Sequence, residues 1–142
     1  MTKEKKLKQP VKGKVAKVPF IMQMEALECG AASLAMVLAY YEKWIPLEQV
    51  RRDCGVSRDG SNALNVMRAA RNYGLEATGY RYEPDYLRDN GTFPCIAHWE
   101  FNHFVVVDGF KNGKVYLNDP ARGTVTVSFE EFDEKFTGLC VL

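Results

Sequence analysis

The first half of the chain carries a long apolar stretch with helical character. Residues 29–41 read Cys-Gly-Ala-Ala-Ser-Leu-Ala-Met-Val-Leu-Ala-Tyr-Tyr, which is rich in strong helix formers and apolar on nearly every side. This pattern predicts a buried central helix. Pro46 is suited to open a second helix that runs through Asp53, because a first helical position needs no N–H. Gly55 can end that helix.

A third helix and then a change of pattern follow. Ser61 can cap a helix that runs to Tyr73, where Gly74 supplies a left-handed stop. From Leu75 the apolar runs become short and extended, which is typical of strands in an antiparallel sheet. The predicted strands are 75–82, 93–99, 103–110, 115–119 and 124–127.

The end of the chain adds a short helix. Ser128 and Glu131 have the spacing of a capping box, and the apolar segment 139–142 follows. Helices that precede an antiparallel sheet predict the α+β fold class. A chain of 142 residues with 46% hydrophobic residues is enough for one compact domain.

Charge separates a tail from this domain. Residues 1–17 contain seven lysines and one glutamate, whereas residues 18–142 carry a net charge of −5. The tail has no aromatic residue and no hydrophobic periodicity, so we predict a mobile basic tail at 1–17 and a folded domain at 18–142. A solvated tail is favoured over attraction to an anionic membrane surface or to nucleic acid, because no recognition motif is present.

The composition indicates a cytosolic, disulfide-free chain. Its longest uncharged apolar stretch, 31–41, is shorter than the roughly 18 to 20 residues of a membrane-spanning helix. The N-terminus lacks the apolar core of a secretory signal. Four scattered cysteines, without a C-x-x-C pair, predict reduced thiols and no metal site. No cofactor is expected.

Cys29 is the candidate nucleophile. It lies at the predicted start of the central helix, where the helix dipole and unpaired N–H groups stabilise a thiolate. Gly30 leaves room for a substrate carbonyl to approach. Gln23, six residues earlier, carries an amide that could join the Cys29 N–H in an oxyanion hole. The other three cysteines are interpreted as small apolar residues.

Two histidines compete for the role of base. His103 begins a predicted strand that can pair with 115–119 across the turn at Lys111-Asn112-Gly113. A three-residue loop would pair Val105 with Asp119, so that Asp119 and His103 share one face as diagonal neighbours. A two-residue turn would place Asp119 opposite Val106, on the wrong face. His98 is the rival base, but this hairpin provides no carboxylate for it.

Two structural alternatives stay open at this stage. His103 could be a packed core histidine, and Asp119 could be a turn residue before Pro120.

Three segments together resemble one family of peptidases. They are 23–34 (Gln-Met-Glu-Ala-Leu-Glu-Cys-Gly-Ala-Ala-Ser-Leu), 102–107 (Asn-His-Phe-Val-Val-Val) and 117–123 (Leu-Asn-Asp-Pro-Ala-Arg-Gly). In this order they resemble the bacteriocin-processing peptidase domains of peptidase-containing ABC transporters. The resemblance covers 19–142.

The resemblance implies a papain-like cysteine peptidase that removes leader peptides after a double-glycine or Gly-Ala type motif. It implies catalysis by Cys29, His103 and Asp119 with Gln23 at the oxyanion. It also implies a precursor of a bacteriocin or lanthipeptide with an amphipathic leader helix as partner. The transmembrane and nucleotide-binding parts of a transporter would lie beside it, on the cytoplasmic side of the bacterial cell membrane. No metal and no nucleic acid are implied.

Two other classes of function fit the sequence less well. Relatives that lack the cysteine dock substrates without cutting them, and Cys29 disfavours that role. Transglutaminases and arylamine acetyltransferases use similar triads, but the Gln23 to Cys29 spacing disfavours them.

Overall fold

The computed structural model describes residues 9–24, 28–55, 62–100 and 103–142. Three helices come first. The elements in chain order are α1 (Cys29–Tyr40), α2 (Leu47–Asp53), α3 (Ala63–Asn72), β1 (Gly79–Arg81), α4 (Pro84–Asn90), β2 (Cys95–Trp99), β3 (His103–Lys111), β4 (Lys114–Asp119), β5 (Gly123–Ser128), α5 (Phe129–Lys135) and β6 (Phe136–Val141).

The six strands form one sheet in the order β1-β6-β2-β3-β4-β5. Every neighbouring pair is antiparallel. The predicted α+β class is therefore confirmed. Residues 139–141 of the final apolar segment, for which no strand was predicted, belong to β6, which lies between β1 and β2.

The sheet separates two apolar cores. The first core joins α1, α2 and α3 to one face of the sheet, through side chains such as Ile96, Phe104 and Val106. The second core lies on the other face and packs Val105 and Val107 with Phe132 of α5. Because both faces of β3 are covered, its sequence is a continuous apolar run and not an alternating one. All twelve residues of α1 are buried, as its pattern predicts.

Local sequence signals set most helix ends. Pro46 is the N-cap of α2, and Ser128 Oγ accepts a hydrogen bond from the Glu131 N–H at the start of α5. Gly74 follows α3 with a left-handed φ of 91°. The cap of α3 is Asn62, whose side chain accepts a hydrogen bond from the Asn65 N–H. Ser61, the predicted cap, lies outside the described residues.

Helix α4 was missed by the sequence analysis. It begins at Pro84, which suits a first helical position, and it buries Leu87 completely. Seven residues with a single fully buried apolar side chain give too little periodicity to identify a helix. The strand predicted at 75–82 is accordingly reduced to β1.

The turn between β3 and β4 is the two-residue alternative and not the three-residue loop on which the expected pairing of Asp119 depended. Lys111 pairs with Lys114, so the turn contains only Asn112 and Gly113. Both residues have positive φ, 54° and 73°, as a two-residue hairpin turn of type I′ requires. The Asn-Gly pair favours this tight turn over the predicted three-residue loop.

A β-bulge reverses the consequence of that tight turn. Gly109 pairs with Tyr116, but Val107 pairs with Leu117, so Asp108 is an extra residue in β3. Beyond the bulge Val106 pairs with Asn118. The same register, continued by one pair, brings Asp119 opposite Val105. The face predicted for Asp119 is therefore correct, although the turn that was to produce it is not.

Part of the predicted basic tail contacts the sheet. Val11 forms a β-bridge with Phe93, and the Ala16 N–H donates to the Asp108 carbonyl over 2.8 Å. Ala16 is buried. The described half of the tail, 9–17, thus lies against the domain. Residues 1–8 lie outside the described residues, and the division of the chain at Lys17 stays a prediction.

Within the described ranges, every helix is too short or too polar to span a bilayer.

Candidate active site

Cys29 is the first residue of α1, where the N–H groups of the opening turn have no carbonyl partner within the helix. Its side chain is a thiol and is only 6% exposed. The positive end of the helix dipole favours a negative charge at this position. The fold therefore places the candidate nucleophile at the positive end of a helix.

His103 and Asp119 meet across the β3–β4 hairpin. The distance between His103 Nε2 and Asp119 Oδ1 is 2.6 Å. The same carboxylate oxygen accepts a hydrogen bond from the Ala121 N–H over 2.9 Å. Asp119 therefore holds the turn after β4 and also contacts the imidazole, while its role in catalysis stays a prediction.

The imidazole also interacts with the Cys29 thiol. Burial by itself lowers the pKa of His103, but hydrogen bonds and charge interactions with Asp119 and Cys29 outweigh it and raise the pKa to about 9. Asp119 occupies Nε2, so Nδ1 is the nitrogen left to face the sulfur. Burial also opposes ionisation of Asp119, yet the bonds from His103 and Ala121 lower the pKa of its carboxyl.

Gln23 is held close to this cluster by its backbone. Its N–H donates to the carbonyl of Pro120, the residue after Asp119, over 3.0 Å. Its side-chain oxygen is buried and accepts no hydrogen bond from the described residues. The contact brings Gln23 to the loop that carries Asp119, while its role as an oxyanion donor stays a prediction.

Glu28 is a residue of the site to which the sequence analysis gave no role. Its carboxylate accepts a hydrogen bond from the Met24 N–H over 2.8 Å and lies 3.5 Å from Arg51 Nε of α2. The side chain is buried although it is acidic. The available signal was an acidic residue immediately before the cysteine that starts α1. Glu28 links the segment of Gln23 to the start of α1.

The rival groups have other surroundings. His98 Nδ1 lies 2.9 Å from the Thr137 hydroxyl and its ring packs against Phe104. Burial raises the pKa of Cys54 and Cys140 to about 12, and that of Cys95 well above its usual range. These three thiols stay protonated at neutral pH, which agrees with their interpretation as small core residues.

The imidazole of the candidate site is partly open to the surface. The His103 side chain is 25% exposed. One cavity of about 500 Å³ lies beside Leu34, Val37 and Tyr41, towards the opposite end of α1 from Cys29.

The geometry agrees with comparisons to known proteins. The model of the peptidase C39 family matches residues 17–142. The chain is 39% identical over 125 residues to the colicin V secretion/processing ATP-binding protein CvaB of Escherichia coli. This match covers 88% of the chain and 18% of CvaB. The chain is 30% identical over 129 residues to the transport/processing ATP-binding protein ComA of Streptococcus pneumoniae, covering 82% of this chain and 17% of that protein. The chain thus spans about a fifth of the length of these relatives.

Solved structures show the same fold. A crystal structure described as a double glycine motif protease from an AMS/PCAT transporter in complex with the leader peptide is 73% identical, with a TM-score of 0.93. The match covers 94% of this chain and 96% of that one. The peptidase domain of Streptococcus ComA is 27% identical with a TM-score of 0.82, covering 89% and 96%. The resemblance found in the sequence motifs is confirmed: the chain belongs to the peptidase C39 family and is a cysteine peptidase.

Proposed function

We propose that this domain cleaves leader peptides after a double-glycine or Gly-Ala type motif in bacteriocin or lanthipeptide precursors. The attached parts of an ABC transporter would then export the product. The contact of the Cys29 thiol with an imidazole that Asp119 orients carries the proposal. The relatives described as processing and transport proteins, and the leader-peptide complex, support the choice of substrate.

Cleavage begins with attack of the Cys29 sulfur on the carbonyl of the second small residue. The helix start and the imidazolium of His103 favour the thiolate. The backbone N–H of Cys29 and the amide of Gln23 donate hydrogen bonds to the oxyanion that forms. Collapse of the tetrahedral intermediate breaks the C–N bond, and His103 gives its proton to the leaving amine.

Hydrolysis of the acyl-enzyme completes the reaction. His103, now neutral, takes a proton from a water molecule that attacks the thioester carbonyl. The C–S bond breaks, the leader leaves with a carboxylate, and the Cys29 thiolate is restored beside the imidazolium. Asp119 keeps the proton of Nε2 in place during both steps, which fixes the tautomer of the ring.

The burial of the thiol supports the preference for small residues. Only 6% of the Cys29 residue surface is exposed, so a bulky side chain next to the scissile carbonyl would meet protein before the carbon reached the sulfur. Two glycines place only backbone there. The same argument admits alanine at the second position and excludes branched side chains.

The cytoplasmic side of the bacterial cell membrane is the proposed location. A peptidase that acts before export must meet the precursor where it is synthesised. The relatives are described as secretion and transport proteins, which supports this location. A docking module without catalysis is the second candidate, but such a module needs neither a thiol nor an imidazole with a raised pKa.

The proposal is tested with a precursor peptide that ends its leader in Gly-Gly. We expect one cut after the second glycine, mapped by mass spectrometry of both products. Replacing that glycine by valine should lower kcat/KM by roughly 10²-fold or more, because a misplaced carbonyl loses the aligned attack. Replacing it by alanine should have a much smaller effect.

A peptide with valine two residues after the cut serves as the control and should be processed normally. Cleavage at other sites, or equal rates for glycine and valine, would contradict the proposed specificity.

Glu28 should affect catalysis through the segment that carries Gln23. Glu28→Ala removes the acceptor of the Met24 N–H, so we expect kcat to fall by about 10 to 100-fold with little change in KM. Glu28→Gln keeps an acceptor oxygen and should retain more activity. Steady-state kinetics on the same peptide measure both effects.

Glu48→Ala is the matched control, because Glu48 is an exposed acid in the first turn of α2. An equal loss in the Glu48 variant would point to general electrostatics and not to Glu28.

A further inference from the structure

The β3–β4 hairpin contains two features with opposite effects on the active site. Its two-residue turn alone would pair Asp119 with Val106 and turn the carboxylate away from His103. The bulge at Asp108 shifts the register by one residue and turns Asp119 back. The contact between Asp119 and His103 therefore depends on one extra residue in the middle of β3.

The side chain of the bulged residue is tied to the strand that carries Asp119. Both oxygens of the Asp108 carboxylate accept from Asn118 Nδ2, over 3.0 and 2.8 Å. The Thr124 hydroxyl of β5 donates to Asn118 Oδ1 over 2.6 Å. Asp108 and Asn118 are both buried, and Asn118 precedes Asp119 directly. A chain of hydrogen bonds thus crosses three strands at the bulge.

The backbone of the bulge is held from a second direction. The Asp108 carbonyl accepts from the Ala16 N–H of the N-terminal segment. Gly109 has a φ of 154°, and a Cβ there would lie 2.4 Å from the Lys14 carbonyl oxygen. Only glycine allows the N-terminal segment to approach so closely. The bulge is therefore held both through the Asp108 side chain and through its backbone.

A buried carboxyl is a costly way to fill this position. Burial raises the pKa of Asp108 to about 7, although the Asn118 bond lowers it. Apolar residues of similar volume often stabilise a fold as well as a buried polar pair does. A polar pair is more directional, however, because its hydrogen bonds are made in one register only. The free-energy cost of burying the Asp108 carboxyl is offset by a fixed register, which determines where Asp119 lies.

We propose that Asp108 is a positioning residue for the peptidase, which with Asn118 fixes the bulge and thereby holds Asp119 against His103. The inference rests on the proposed role of Asp119 and His103 in cleavage. It concerns the geometry behind the site and not the substrate.

The test compares Asp108→Ala with Asp108→Asn in the full chain. Alanine removes the acceptors and leaves the Asn118 amide buried without them, so the bulge is free to slip. We expect kcat on a Gly-Gly precursor to fall by roughly 10 to 100-fold with KM unchanged. The pKa of His103, followed by NMR titration of its ring, should fall from about 9 towards 6.5. Asparagine keeps an acceptor oxygen and should restore most of both values.

Leu87→Ala controls for loss of stability alone. Leu87 is fully buried in α4 and belongs to neither side of the hairpin. This variant should unfold more easily while the pKa of His103 stays near its original value. Thr124→Val removes only the outer hydrogen bond of the network and should shift the pKa in the same direction by less. It provides the test if Asp108→Ala does not fold.

An unchanged His103 pKa in both Asp108→Ala and Thr124→Val would overturn the inference. An equal shift in Leu87→Ala would do the same, because it would show that any destabilisation moves the imidazole. The NMR measurement needs no substrate. Failure of the wild-type chain to cut a Gly-Gly precursor would therefore count against the proposed function alone.

Discussion

Replacing Cys29 by alanine is expected to lower kcat/KM for a Gly-Gly precursor by roughly 10⁵-fold or more, the scale of losing the nucleophile of a peptidase triad. Alanine cannot form the acyl-enzyme, and His103 has no thiolate to pair with. Precursor binding should persist, since the change removes one small, almost buried atom. Product formation is followed by mass spectrometry and binding by calorimetry.

Cys54→Ala is the matched control for the Cys29 variant. Cys54 is also a buried thiol near a helix end, but burial raises its pKa to about 12. Its removal should leave kcat/KM within a few-fold of the original value. Alkylation at neutral pH should modify Cys29 and spare Cys54. Undiminished cleavage by Cys29→Ala would end the thiol mechanism.

Asp119→Asn is expected to lower kcat by roughly 10² to 10⁴-fold and to move the alkaline limb of the pH profile to lower pH. Asparagine keeps the shape of the side chain but loses the charge that raises the pKa of His103. In the original chain the imidazolium persists up to about pH 9 and is available to protonate the leaving amine. In the variant the imidazolium should be lost at lower pH, and cleavage with it.

Stability should follow the same titration. The pKa of His103 is raised in the folded state, so the stabilisation it provides is complete below about pH 6.5 and is lost as pH rises through about 9. The lowered pKa of Asp119 contributes stability above its ordinary value of 3.8 that is lost on acidification. Urea unfolding between pH 5 and 10 should show a smaller alkaline decline for Asp119→Asn, and an unaltered profile would contradict the ion pair.

The helical part of the site was predictable because its signals are local. The residues of α1 are apolar on every side, so burial and helix follow from the same stretch, and Cys29 falls at its first residue. Gly74 and Ser128 set helix ends through the chemistry of a single side chain. Such signals depend only on neighbouring residues in the sequence, so they can be recognised before the fold is known.

The face of β4 on which Asp119 lies was predicted correctly, but through two errors that cancel. The Asn112-Gly113 pair forms a tighter turn than predicted, and the bulge at Asp108 adds back the missing residue. A bulge has no firm sequence signature, since Asp108 in an apolar run resembles any other inward polar residue. Its partners Asn118 and Ala16 are distant in sequence, so only the folded chain reveals why Asp119 faces His103.

Glu28 shows the same limit from another side. Acidic residues often precede helices, so the sequence alone does not single out Glu28. Its structural role depends on the contacts with Met24 and Arg51, which form only in the folded chain. Sequence motifs predicted the reacting groups. The groups that hold them in place became visible only as contacts.

The complete enclosure of α1 has a consequence for how such a peptidase is controlled. Because α1 is packed on every side, a shift of the helix or of its first residue, Cys29, would disrupt many contacts. On this basis we expect the sulfur to hold its position before any peptide arrives, so that control would act on delivery of the substrate. The timing of cleavage would then be set by the part of the transporter that presents the scissile bond, and not by a rearrangement of the active site.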